Sequence, residues 1–126
     1  MKGKILVVDD EDYTREIIKT IFNGEEIEVD AVEDGYKAVS KIKKEKYDVL
    51  AMDIRMPGID GVETISQIRK IDPYISIFIM TGYGNLDLLE KTRSEYGVYE
   101  IISKPFDIDV LMDIVRRGIE LRKTKL

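Results

Sequence analysis

Apolar residues along this chain fall either in short unbroken runs or at helical spacings of three and four. The first run, KILVV from Lys4 to Val8, stops at Asp9, Asp10, Glu11 and Asp12 and predicts a buried strand. From Asp12 to Phe22, Tyr13, Ile17, Ile18, Ile21 and Phe22 share one helical face, and Asn23-Gly24 ends the helix. Glu25 to Val32 alternates instead, Ile27, Val29 and Ala31 against Glu26, Glu28 and Asp30, as an edge strand with one wet face does. Asp34-Gly35 opens a second helix to about Lys46, with Tyr36, Ala38, Val39 and Ile42 as its core side. Tyr47 to Met52 is a third strand and delivers Asp53 to a turn-rich stretch containing Pro57, Gly58, Asp60 and Gly61. Asp60 caps a third helix through Val62, Ile65, Ile68 and Ile71, stopped by Asp72-Pro73.

Ile75 to Met80, ISIFIM, predicts a fourth buried strand ending at Thr81-Gly82. The helix after it, about Asn85 to Tyr96, has only Leu86, Leu88 and Leu89 as large anchors and should be weakly held. Val98 to Ile102 is the fifth strand, ending at Ser103, Lys104 and Pro105. Asp107 then caps a last helix, with one stripe of Ile108, Leu111, Val115 and Ile119 and a second of Val110, Ile114 and Leu121. Strict strand–helix alternation predicts an α/β, flavodoxin-like (βα)5 doubly wound sandwich, its parallel five-stranded sheet in order 2-1-3-4-5 with the alternating second strand at an edge.

Composition narrows the chemistry. The 126 residues make one domain, 1–126. No apolar stretch reaches the roughly 18 residues that span a bilayer, and acids come too early for a signal peptide, so a cytoplasmic protein without a membrane partner is expected. Without cysteine or histidine, disulfides, thiolates and imidazole are excluded, and a metal site must be built from oxygen. The net charge of −5 argues against nucleic-acid binding by this domain.

Four strands end in chemically able side chains: the first at Asp9 and Asp10, the third at Asp53, the fourth at Thr81, the fifth at Lys104. Each alone has an ordinary explanation, since acids favour helix starts and Thr ends strands. Together they meet at the edge where such sheets bind ligands. Carboxylates about 4 Å apart repel by several kcal/mol per pair at an effective dielectric near 20, so the cluster calls for a cation, and oxygen donors alone favour Mg²⁺, or Mn²⁺ in its place. A metal, a lysine, a hydroxyl and a free carboxylate suit a phosphoryl group, with Asp53 as acceptor. No glycine-rich phosphate loop is present, so a nucleotide is not the expected donor.

The set VVDD, DIRMPGIDG, MTGYG and SKPF resembles the receiver domain of two-component response regulators over essentially the whole chain. The resemblance implies that Asp53 accepts a phosphoryl group from a sensor histidine kinase or a histidine phosphotransferase. It implies that Asp10, Asp53 and the backbone carbonyl of Arg55 ligate Mg²⁺, with Asp9 acting through a water. Thr81 and Lys104 would contact the phosphoryl oxygens, Gly82 would leave the pocket open, and the Lys104–Pro105 peptide would be cis. Three residues before its lysine the family often has an aromatic switch. Ile101 stands there, and Tyr99, two residues earlier, is expected on the same strand face. Arg55 and Tyr83 would flank the pocket. Partner choice is placed on Thr14, Ile17 and Ile18 and on Pro105 and Phe106, and the downstream partner is unknown.

The sequence ends soon after the last helix, as in the sporulation-phosphorelay and chemotaxis types, so a stand-alone regulator is expected: a signalling phosphoacceptor and not an enzyme acting on external substrates. The alternatives are a receiver belonging to a longer DNA-binding transcriptional regulator, or an aspartyl-phosphate hydrolase. The latter class resembles the haloacid dehalogenases, which carry a second acid two residues past the nucleophile. Here that position is Arg55.

Overall fold

The computed structural model describes residues 2–54, 60–82 and 86–125. Among them five strands alternate with five helices: β1 (Gly3–Val8), α1 (Asp12–Ile21), β2 (Ile27–Val32), α2 (Gly35–Lys44), β3 (Val49–Asp53), α3 (Gly61–Ile71), β4 (Ser76–Thr81), α4 (Leu86–Tyr96), β5 (Val98–Ser103) and α5 (Ile108–Thr124). All pairings are parallel and the order is β2-β1-β3-β4-β5, with the alternating strand at the edge as expected. The unbroken apolar runs are explained by two cores. Leu6, Val8, Leu50, Met52, Ile77 and Ile79 face α2, α3 and α4. Ile5, Val7, Val49, Ala51, Phe78 and Met80 face α1 and α5. A central strand covered on both sides has no wet face, so it shows no alternation.

Capping follows the acids. Asp34, Asp60 and Asp107 accept from the backbone N–H groups of Lys37, Glu63 and Asp109 and so start α2, α3 and α5. Gly97, at φ +67°, leaves α4 in the left-handed conformation that favours glycine. Two glycines are required by close approach. A Cβ on Gly61 would stand 2.7 Å from the Cα of Ile54, and one on Gly118 would stand 2.4 Å from the phenolic oxygen of Tyr99.

Several expected core residues are instead exposed: Tyr13, Tyr36, Leu88 and Ile108. All four lie in the first turn of a helix. In a parallel sheet those turns begin beyond the carboxyl ends of the strands, where no sheet lies beneath them. Ile71, at the far end of α3, is exposed too. The second stripe of α5 divides, with Ile114 buried and Val110 and Leu121 exposed. On α4, Leu89 and Thr92 are the buried residues, and the side chain of Leu86 lies outside the described set.

The edge opposite the strand ends carries a polar clamp. Arg122 of α5 donates to Asp72 at 2.7 Å, and Arg69 of α3 donates to the carbonyls of Ile75 at 2.6 Å and Tyr96 at 2.9 Å. Arg69 thereby ties the end of α4 to α3.

Candidate functional site at the carboxyl edge

The ladder holds the site's backbone in order up to the strand ends. Asp9 follows β1 and donates its N–H to Val32 at 3.1 Å, continuing the β1–β2 pairing by one residue. Asp53 is the last residue of β3, opposite Met80, and Thr81 is the last of β4, opposite Ser103. The N–H of Lys104 donates to the Thr81 carbonyl at 2.8 Å, so these two residues are set side by side. Behind Asp53 the start of α3 packs so closely on the backbone that only glycine fits at position 61.

Asp9, Asp10 and Asp53 each offer a carboxylate oxygen, and these atoms lie within 4.8 Å of one another. Asp9 and Asp53 are buried and Asp10 is exposed, which leaves the group open on one side. Three hard oxygen donors facing an open side fit a divalent cation such as Mg²⁺. The remaining expected contributor, the carbonyl of Arg55, lies outside the described residues, as does Tyr83.

Lys104 enters from the other side. Its ammonium donates to Asp9 at 2.6 Å, Glu11 at 3.0 Å and Asp53 at 3.4 Å. Burial alone would pull its pKa down, but the hydrogen bonds to Asp9 and Glu11 and the charge of Asp53 outweigh that and hold it above the ordinary lysine range. The ammonium is therefore a fixed positive charge. Arg15, one turn into α1, donates to the Asp9 carbonyl at 2.6 Å and pairs with Asp12. Neither Glu11 nor Arg15 was given a role by the sequence. The signal available was the acid run Asp9 to Asp12 together with the three donors of a strand-end lysine, each of which needs an acceptor.

Tyr99 and Ile101 do not share a face. Ile77 pairs with Val98 but Phe78 pairs with Glu100, so Tyr99 is an extra residue in β5. This bulge breaks the two-residue period on which the expectation rested. Ile101 packs on the α2–α3–α4 side. Tyr99 lies on the α1–α5 side, where its hydroxyl donates to the Ile114 carbonyl at 2.6 Å and its ring meets Phe78 edge-on at 6.0 Å. Burial pushes its phenol pKa upward, so it stays protonated and keeps that bond.

The Lys104–Pro105 peptide is cis, as expected. Pro105 is exposed and Phe106 half-buried at the start of the segment leading to α5, and Gly82 is exposed. On α1, Thr14 and Ile18 are buried and Ile17 is half-buried. Thr14 and Ile18, four apart on α1, expose little surface in this structure. The exposed large apolar side chain of that turn is Tyr13.

The family model described as the response regulator receiver domain matches residues 5–116. Sporulation initiation phosphotransferase F of Bacillus subtilis is 35% identical over 122 residues, covering 97% of this chain and 98% of that protein. Regulatory protein AtoC of Escherichia coli is 33% identical over 98% of this chain, which spans only 26% of AtoC. Among solved structures, NtrX from Brucella abortus superimposes with a TM-score of 0.89 at 30% identity, over 99% of this chain and 29% of NtrX. No helix among the described residues is long and apolar enough to cross a membrane.

Proposed function

Because the chain belongs to the response regulator receiver family, which works in two-component and phosphorelay signalling, we propose that Asp53 is its phosphoacceptor and a phosphohistidine its donor. What carries this reading is the meeting of Asp53 with the Asp9 and Asp10 carboxylates within 4.8 Å and with the Lys104 ammonium at 3.4 Å. An oxygen of Asp53 attacks phosphorus in line. The new P–O bond forms as the P–N bond breaks, and the imidazole leaves with the electron pair and takes up a proton. Lys104 neutralises charge on the oxygens of the transferred group, and the Thr81 hydroxyl donates to one of them. Asp9 and Asp10, with Asp53 and the Arg55 carbonyl, would hold Mg²⁺, or Mn²⁺ in its place, which when bound supplies further positive charge to that group.

The phosphorylated residue adds about −1.5 to −2 charge beside the Lys104 ammonium, which already lies 3.4 Å from Asp53. Thr81 leads directly toward α4, whose buried anchors are Leu89 and Thr92. Phosphorylation therefore biases α4 and its neighbours between two arrangements. With Tyr99 tied to α5, the coupling runs through Ile101 and the packing on the α4 side. The kinase or phosphotransferase approaches over the carboxyl edge, near Ile17, Tyr13, Pro105 and Phe106. The cytoplasm is the compartment where this reading places the protein.

A second reading concerns context. Because AtoC carries a similar unit in about a quarter of its length, the same site would serve a longer transcriptional regulator if the reading frame continues past Leu126. A hydrolase of external phosphoesters would show sustained phosphate release, and none is expected. The test of the main reading is transfer of labelled phosphoryl from a phosphohistidine donor with Mg²⁺. Wild type takes the label and Asp53→Asn does not; label retained by the variant sinks the assignment.

A further inference from the structure

The three donors of Lys104 are spent on three carboxylates, and these are not equivalent. Asp9 and Asp53 belong to the group whose oxygens gather within 4.8 Å. Glu11 does not, yet its carboxylate lies 3.0 Å from the ammonium although 60% of its side chain is open to water. Its own N–H donates to Asp9 at 2.9 Å, which fixes its backbone beside the site. The nearby cation on α1, Arg15, is already taken by the Asp9 carbonyl and by Asp12. An exposed glutamate anchored in this way has one evident task, which is to hold the lysine.

Resting on the phosphoacceptor reading, we infer that Glu11 is a positioning residue that holds Lys104 at the outer side of the pocket and competes with the phosphoryl group for it. The 3.4 Å contact to Asp53 is the longest of the three that Lys104 makes. A phosphoryl group on Asp53 draws the ammonium toward that point, and with Asp9 turned to a cation, Glu11 is the partner that must let go. Removing its grip makes the phosphorylated arrangement easier to reach.

The probe is fluoroberyllate with saturating Mg²⁺, which mimics a phosphoryl group on an aspartate, its affinity measured by calorimetry on the intact chain. Glu11→Gln keeps the shape and removes the charge, and it should tighten binding about two- to fivefold, the range of an exposed ion pair. Glu11→Asp keeps the charge but draws the carboxylate back by one methylene, and it should tighten binding as well. In a Lys104→Met background the Glu11→Gln effect should vanish. Tightening by Gln but not by Asp, or an equal Gln effect without Lys104, would mean that Glu11 acts only through its field, and the inference falls. It falls too if neither variant changes the affinity. Fluoroberyllate binding that is absent in wild type, or unchanged by Asp53→Asn, would instead overturn the phosphoacceptor reading itself.

Discussion

Two groups of charges sit at opposite edges of one sheet and are balanced in different ways. At the edge away from the strand ends, Asp72 faces Arg122 at 2.7 Å and takes a further bond from the N–H of Tyr74 at 3.0 Å. Arg69 spends its donors on the carbonyls of Pro73, Ile75, Tyr96 and Gly97. At the carboxyl edge, Asp9, Glu11 and Asp53 share one lysine, and Asp10 adds a further carboxylate within reach of Asp9 and Asp53. The first arrangement is closed and serves stability. Among the described residues the second sets four carboxylates against one ammonium, which suits it to a cation and a reacting group. Burial of charge does not distinguish the candidate site from the closed edge; an excess of carboxylates, gathered within reach of one another, does.

The sharpest way to break this contrast is at the closed edge. Asp72→Asn leaves Arg122 buried without its counter-charge and should cost about 3 kcal/mol in denaturant unfolding, while phosphorylation of the folded protein is unchanged. Burial would raise the pKa of Asp72, but Arg122 and the N–H groups of Tyr74 and Ile75 outweigh it and hold the carboxyl below its ordinary range. A depressed pKa means that its stabilisation is present above the unfolded value of about 3.9 and is lost as pH falls through the folded value. The wild type should therefore lose stability in acid more steeply than the variant. Parallel acid limbs would show that the pair contributes nothing.

At the open edge the expectation reverses. Lys104→Ala should slow phosphorylation about 100-fold, the scale of losing one charge-stabilising donor, with little change in the unfolding midpoint once Mg²⁺ is present. A rate near that of wild type would reduce Lys104 to a resting-state counter-ion. The smallest effect is expected between the two edges. Tyr99→Phe removes the bond to Ile114 and should cost about 1 kcal/mol, leaving untouched the change in α4 hydrogen exchange on fluoroberyllate binding. Loss of that change would restore Tyr99 as the moving aromatic.

Much of the open edge was legible in the sequence because its signals are local. Apolar runs of strand length stop at Asp9, Asp53, Thr81 and Lys104, and the alternation rules bring those stops to one edge. The closed edge was not legible, because Arg122 and Asp72 lie 50 residues apart in the chain and only the fold pairs them. Tyr99 was misplaced for a different reason. A bulge is one extra residue, and nothing in VYEII shows where the two-residue period slips. Tyr13, Tyr36, Leu88 and Ile108 were assigned to the core by helical spacing, which gives the direction a side chain takes but not whether the sheet still lies beneath that turn. Glu11 was visible as an acid, yet its partner came from the far end of the chain.

The proposed phosphoacceptor can be located chemically. Borohydride reduces an aspartyl phosphate to homoserine, so protein phosphorylated by a phosphohistidine donor with Mg²⁺ can be reduced, digested and sequenced by mass spectrometry. The account predicts homoserine at position 53 and nowhere else, dependent on the phosphodonor. Homoserine at Asp9 or Asp10, or phosphorylated protein with none at position 53, would contradict it.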